Sequence, residues 1–222
     1  TGNFTLLNNQ SGNVTVYNML MDTQRVTPGT SFKVINSLVG LETGKIVDSK
    51  TPISIGNTSL TLIDAFKNSS TPFFQEVARL VGKDTLQRSI DSLQYGNKNL
   101  SGAIDSFWLN NNLKISPDEQ LGLMYRLYFD KLPFSKYAQQ NVRTLMKQED
   151  NTLYKYYYVT GSGTDEKNNT IGWVLGWVEE NIHVYFFSTL VKSQDKNTNI
   201  DSVSLKITRG ILSELGYFKG NK

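Results

Sequence analysis

The hydrophobic pattern divides the chain into a strand-rich start, a helical middle and a strand-rich end. The first residues predict a β-hairpin, with strands at Phe4–Leu7 and Val14–Tyr17 around a polar turn at Asn8–Asn13. Alternating runs return near the C-terminus. They predict three sequential antiparallel strands, at Leu153–Thr160, Ile171–Glu179 and Ile182–Val191.

Between these strands, apolar residues recur every three or four positions, which is the period of a helix packed along one side. The first such helix is predicted over Thr30–Thr43, with Gly44 at its C-terminal cap. Thr51–Ser59 is polar and predicts a loop. The other predicted helices are Leu60–Asn68, Phe73–Val81, Thr85–Leu93, Pro117–Phe129, Lys136–Gln148 and Ser202–Leu215.

This order of elements predicts an α/β (α+β) fold, with an antiparallel sheet flanked by helices and an inserted helical lobe. We expect one domain over residues 1–222. Its sheet lobe is expected at about 1–27 and 150–222, and its helical lobe at about 28–149.

The amino-acid composition excludes several kinds of catalytic and metal-binding site. The chain has no cysteine and a single histidine, so a thiol nucleophile and a thiolate metal site are excluded, and no metal is expected. His183 lies in an alternating segment that predicts a structural role on a strand. The net charge is +3 without a long basic run, which argues against nucleic acid as a partner. No apolar run is long enough to span a membrane, and no signal peptide is visible.

The segment Pro28–Lys33 nearly matches a serine-hydrolase box. In an S-x-x-K box, a hydroxyl nucleophile precedes a lysine base by three residues, so both share one face of a helix. Here that position holds Thr30. Ser31 does not substitute, because a residue two before Lys33 points about 200° away around the helix.

Short sequence blocks follow one another along nearly the whole chain. They are Pro28–Lys33, Asn36–Leu38, Gly40–Gly44, Phe74–Gln75, Tyr95–Asn97, Ser101–Gly102, Ile104–Asp105, Phe107–Leu109, Leu113–Ser116, Glu119–Gln120, Gly176–Glu179, Val184–Phe187, Ile211–Leu212 and Glu214–Gly216. In this order they resemble one family, the class D (OXA-type) serine β-lactamases and the related penicillin-sensing domains. The resemblance implies a serine β-lactamase or penicillin-binding-protein-like fold. It also implies an extracytoplasmic, periplasmic location in a bacterium and a β-lactam or other acyl-type small molecule as ligand.

For catalysis, the resemblance implies that position 30 holds the nucleophile, here Thr30, and that Lys33 is the general base. The lysine would carry a carbamate derived from CO2, held by Trp108, and no other cofactor is implied. The second motif of the family, S-x-V, corresponds to Ser69 and Thr71 at its first and third positions. Ser69 is thereby implied to be catalytic and Thr71 to contact the substrate.

The third motif of the family, K-T-G, corresponds to Val159, Thr160 and Gly161, so its cation is lost. The backbone N–H of the next residue, Ser162, is implied to share oxyanion stabilisation with that of the nucleophile. An arginine that clamps the substrate carboxylate is expected early in the final helix. Ungapped alignment from the end of that helix places Ser204 there.

These departures leave three hypotheses. The first is a binding or sensing module whose β-lactam hydrolysis is impaired or lost, because Thr30 is crowded by its methyl group and Val159 has no charge. The second is a working β-lactamase or related acyl-transfer hydrolase that uses Thr30 and Lys33. The third is a hydrolase for an ester or peptide that lacks a carboxylate. The sequence favours the first and leaves the oligomeric state open.

Overall fold

The computed structural model describes residues 1–222 and is built on a six-stranded antiparallel sheet. Its strands are ordered β2-β1-β8-β7-β6-β5, so the N-terminal hairpin lies beside the last strand of the chain. The sheet strands are β1 (Gly2–Asn8), β2 (Val14–Tyr17), β5 (Lys147–Asp150), β6 (Tyr154–Thr164), β7 (Thr170–Glu180) and β8 (His183–Ser193). The predicted mixed fold with an antiparallel sheet flanked by helices is therefore confirmed.

The chain forms eight α-helices. They are α1 (Met19–Asp22), α2 (Lys33–Glu42), α3 (Leu62–Lys67), α4 (Thr71–Val81), α5 (Lys83–Leu93), α6 (Pro117–Tyr128), α7 (Lys136–Met146) and α8 (Ile200–Glu214). Two of them, α6 and α8, pack against opposite faces of the sheet. None of the eight has the length and apolar character needed to cross a membrane.

Two apolar clusters hold these layers together. The larger contains 41 buried residues and joins the central helices to one face of the sheet. The smaller contains 9 and includes Tyr156, Val174 and Leu212, which places α8 against the opposite face. Because both faces are covered, β7 and β8 are buried at nearly every position.

The structure differs from the sequence prediction in three short segments. The polar stretch predicted as a loop contains a small hairpin of β3 (Ile53–Ile55) and β4 (Thr58–Leu60), whose strands pair only with each other. The helix that was expected to reach Gln148 ends at Met146. The backbone of Lys147 is extended and starts β5. β6 runs four residues past the predicted end at Thr160, since Gly161–Thr164 pair with β7.

Candidate functional site

A cleft of about 520 Å³ lies where β6 meets the ends of helices from both faces of the sheet. Half of its lining is apolar, and three lysines contribute to the rest. Its lining residues are Lys33, Ile63, Phe66, Lys67, Thr144, Leu145, Lys147, Gln148, Tyr158, Val159, Thr160 and Leu205.

The predicted nucleophile lies on a 3-10 turn, Gly29–Phe32, immediately before α2. Thr30 is half-buried, and its hydroxyl oxygen accepts a hydrogen bond of 2.8 Å from the backbone N–H of Ser162. Ser31 is buried, and its hydroxyl donates to the carbonyl of Pro28 at 2.7 Å. The two hydroxyls therefore point in different directions, as the helical spacing predicts.

Two glycines allow the 3-10 turn to lie directly against β6. Gly29 has a φ of +55°, a left-handed conformation that favours glycine, and a Cβ there would overlap the carbonyl of Ser162. A Cβ at Gly161 would overlap the backbone of Ser31. This close contact sets the distance between Thr30 and the Ser162 N–H, so Gly161 helps to position the site.

Lys33 begins α2 and is only 4% exposed. Its Nζ donates a hydrogen bond of 2.6 Å to the hydroxyl of Ser69, and it lies 5.1 Å from the centre of the Phe66 ring. Burial lowers the pKa of Lys33 from 10.5 to about 8, although the negative charge of Asp201 opposes this shift. A pKa near 8 leaves about a tenth of the amine neutral at pH 7.

Ser69 contacts the lysine directly, and Trp108 holds the 3-10 turn that precedes it. Ser69 has a φ of +50°, a conformation rare for serine, and its hydroxyl is the hydrogen-bond partner of Lys33. The Trp108 ring stacks on Phe32, the residue before the lysine, with ring centres 5.3 Å apart. Its carbonyl accepts hydrogen bonds from the Thr27 hydroxyl and the Gly29 N–H, at 2.7 and 3.0 Å, and so anchors the 3-10 turn.

A carbamate on Lys33 is compatible with this setting. Carbamate formation requires a neutral amine, and burial of Lys33 favours that form by lowering its pKa. The Ser69 hydroxyl lies 2.6 Å from Nζ, the nitrogen on which a carbamate would form.

Strand β6 and helix α8 form an apolar wall where the family resemblance places two cations. Val159 is 2% exposed and lines the cleft, and Thr160 follows it. Ser204 does not line this cleft: it is fully buried, and its hydroxyl packs against Gly172 of β7. The α8 residue that lines the cleft is its neighbour Leu205. The structure thus places Leu205, and not the predicted Ser204, on the cleft lining.

Thr71 lies at the edge of the site. It is the first residue of α4, two positions after Ser69, and it is half-buried but absent from the cleft lining. Hydrogen bonds join Thr30 to Ser162 and Lys33 to Ser69 as two separate pairs, and Thr71 belongs to neither pair.

Sequence reasoning missed Asp201. This residue is in the first turn of α8, and one of its carboxylate oxygens accepts a hydrogen bond of 3.1 Å from the Ser162 hydroxyl. Its other oxygen is buried and has no hydrogen-bond partner. Asn199 is the sequence feature that could have placed Asp201 in a helix, because asparagine favours the N-terminal cap of a helix. Its side chain caps α8 by accepting a hydrogen bond of 3.2 Å from the Ser202 N–H. That cap starts the helix two residues earlier than predicted.

Comparisons with known proteins identify the family to which the chain is related. The family model for the penicillin binding protein transpeptidase domain matches residues 2–213. The chain is 32% identical over 217 residues to probable beta-lactamase YbxI of Bacillus subtilis, covering 94% of this chain and 80% of that protein. It is 33% identical over 219 residues to beta-lactamase OXA-5 of Pseudomonas aeruginosa, covering 93% and 82%.

The fold of the chain is also similar to that of solved class D beta-lactamase structures. The class D beta-lactamase YbXI from Nostoc superposes with a TM-score of 0.91 at 30% sequence identity, over 97% of this chain and 94% of that one.

Proposed function

The chain belongs to the class D β-lactamase-like family, and from that premise we propose that it is a ligand-binding member whose hydrolysis of β-lactams is impaired. The observation that carries this proposal is the apolar wall of Val159 and Leu205. β-Lactams of the penicillin type carry a carboxylate, and neither residue can pair with it. We further propose an extracytoplasmic location, in keeping with the relatives.

The size of the expected loss follows from the missing contacts. A hydrogen bond to a charged group contributes about 1.5–3 kcal/mol, so the loss of two removes about 3–6 kcal/mol if they are additive. At about 1.4 kcal/mol per factor of ten, recognition of a penicillin is weakened by roughly two to four orders of magnitude.

The threonine at the nucleophile position is a second reason to expect impaired hydrolysis of β-lactams. Thr30 is β-branched, so its extra methyl group restricts χ1 and lies where an acyl carbonyl must approach. Its hydroxyl bonds to the Ser162 N–H, and it makes no hydrogen bond to Lys33. The base and the nucleophile are therefore not joined as a proton transfer requires.

A second candidate function is a slow acyl-transfer hydrolase. The supporting observation is the pKa of Lys33, which burial lowers to about 8, close to that of an effective general base at neutral pH. In such a reaction the neutral amine, or its carbamate, would accept the proton of Thr30 while the threonine oxygen bonds to the acyl carbon. The bond from that carbon to the leaving nitrogen or oxygen then breaks, and the leaving atom takes up the proton. A water molecule, deprotonated by the same base, would attack the acyl carbon and release the acid and the free Thr30 hydroxyl. The backbone N–H of Ser162 would stabilise the oxyanion.

Intact-protein mass spectrometry distinguishes the two candidates. The protein is incubated with benzylpenicillin in bicarbonate buffer, and the masses of protein and drug are read together, with Thr30→Ala as the control. We expect unmodified protein and intact drug over times in which an efficient β-lactamase would consume the drug completely. An adduct on the peptide that contains Thr30, or hydrolysed drug that the Thr30→Ala variant does not produce, would instead support the hydrolase.

A further inference from the structure

We propose that the cleft is selective for an acyl compound whose anionic group lies far from the acyl carbonyl, beyond the place where a penicillin carries its carboxylate. Lys67 and Lys147 are the residues that bind this anion. The inference rests on the proposed function, because it assigns the ligand class of the same site. It depends on the charge of the cleft lining, on the freedom of the two lysines, and on their distance from the Ser162 N–H.

The cleft lining carries positive charge and no acidic residue. Lys33, Lys67 and Lys147 line the cleft, and none of the other lining residues is an Asp or a Glu. Half of the lining is apolar, and a cleft with apolar walls and charges of one sign concentrates the potential of those charges. Lys33 is buried and bonded to Ser69, so Lys67 and Lys147 are the cations whose side chains reach water. The cleft is therefore expected to attract an anion.

The amine of Lys67 is free to bind a ligand. Lys67 lies in the last turn of α3, is exposed, and makes no ion pair and no side-chain hydrogen bond within the chain. Asp64, three residues earlier on the same helix, is not its partner. The Asp64 carboxylate instead accepts a hydrogen bond of 2.7 Å from the hydroxyl of Thr61. No neighbouring acid therefore neutralises the charge that Lys67 presents to the cleft.

A β-bulge allows Lys147 to face the cleft. Consecutive residues of a regular strand point to opposite faces, yet both Lys147 and Gln148 line the cleft. The register of β5 against β6 shifts between Lys147 and Glu149, so Gln148 is the additional residue of the bulge. The Gln148 amide donates a hydrogen bond of 3.4 Å to the carbonyl of Tyr158. The Lys147 amine pairs with exposed Asp150 at 3.1 Å, and an anionic ligand can replace such a surface ion pair at little cost.

Lys147 lies farther along the cleft than the position where the family resemblance places a cation. That position is Val159, three residues from Ser162 on β6, or about 10 Å at the rise of an extended strand. Lys147 is opposite Tyr157, five residues from Ser162, or about 17 Å. A penicillin carries its carboxylate on the carbon next to the lactam nitrogen, so it cannot span the additional length of about 7 Å. A flexible chain of several methylene groups between carbonyl and anion can span it.

A homologous series of N-benzoyl amino acids tests this distance. Benzoylglycine, benzoyl-γ-aminobutanoate and benzoyl-ε-aminohexanoate place the same carboxylate progressively farther from the same acyl carbonyl, and the carboxamide of each has equal length without the charge. Ligand-observed NMR titration at low ionic strength gives each Kd. We expect the preference for carboxylate over carboxamide to rise along the series, from about onefold for glycine to at least about threefold for aminohexanoate. The preference should shrink in about 1 M salt, which screens exposed charges.

Single substitutions assign the anion site to the two lysines. Lys67→Gln and Lys147→Gln are each expected to lower the preference for the aminohexanoate carboxylate by about twofold, and the double variant to abolish it. Lys206→Gln is the control, because Lys206 is an exposed lysine without an ion pair, next to Leu205 on α8 but outside the cleft lining. Asp150→Asn releases Lys147 from its ion pair and is expected to strengthen the preference by about twofold.

A preference that does not depend on chain length, a preference that is greatest for benzoylglycine, or no binding of any probe would overturn the inference. An equal loss in Lys206→Gln and Lys67→Gln would also overturn it, since the net charge of the protein rather than the cleft would then be responsible. The proposed function fails separately, through efficient hydrolysis of benzylpenicillin by the wild-type protein, so the two failures are distinguishable.

Discussion

Lys33 is the residue on which the chemistry of the cleft depends most. The folded chain keeps it 4% exposed, beside Phe66, and burial lowers its pKa from 10.5 to about 8. The unfolded chain therefore binds a proton at this site more tightly than the folded chain does. As a result, the charged form of Lys33 destabilises the fold at neutral pH, and this penalty disappears only when both states are deprotonated.

Replacement of Lys33 by the apolar Met is therefore expected to stabilise the protein at pH 7. Each unit of pKa shift corresponds to about 1.4 kcal/mol, and the lost bond to Ser69 offsets part of the gain, so we expect about 2–3 kcal/mol. The difference should shrink as the pH rises from about 8 through 10.5. Urea unfolding at pH 7 and 10 in CO2-free buffer measures it.

Lys67→Met is the matched control, because Lys67 is exposed in the same cleft. It should change the free energy of unfolding little at either pH. A Lys33→Met variant that is less stable than the wild type at pH 7, or a difference independent of pH, would contradict the burial of the charged amine.

The sequence predicted part of this residue-level picture. Thr30, Lys33 and Ser69 follow short motifs, and the structure places them within one cleft or beside it. Asp201 and Phe66 belong to no such motif. They approach the lysine only through the packing of α8 and α3, which no local pattern describes.

At the scale of elements, the contact between β6 and the 3-10 turn positions the site. β6 extends through Gly161–Thr164 because those residues pair with β7, although the glycines and polar residues there resemble a turn in sequence. On α8, the position of a residue around the helix decides whether its side chain faces the cleft. A shift of one residue turns a side chain by about 100°, which is why Leu205, and not Ser204, lines the cleft.

Gly161→Ala tests this contact. The new Cβ would overlap the backbone of Ser31, which cannot move without displacing Thr30. We expect a loss of at least about 3 kcal/mol in the free energy of unfolding, measured by urea denaturation. Gly210→Ala is the control, since its Cβ would meet nothing within 4 Å on α8, and it should stabilise the protein by about 0.5–1 kcal/mol. Equal effects of the two changes would contradict the contact.

At the scale of the whole molecule, the fold follows from long hydrophobic patterns, whereas the cleft depends on single side chains. The apolar segments of β7 and β8, together with the helical periods between the terminal strands, predict the mixed fold. The short hairpin of β3 and β4 was not predictable, because three-residue strands carry too little pattern. An uncharged Val159 leaves this architecture intact, because the chemistry of the cleft depends on side chains rather than on the fold.

We propose that the side chains at positions 30 and 159, and not the fold, limit penicillin hydrolysis. The most direct test is kcat/KM for benzylpenicillin, measured in bicarbonate for the wild type and for the Thr30→Ser/Val159→Lys double variant. Val14→Lys on the exposed β2 strand is the control for added charge. We predict a gain of at least about a hundredfold in the double variant and none in the control. Efficient hydrolysis by the wild type, with no gain in the double variant, would contradict the claim.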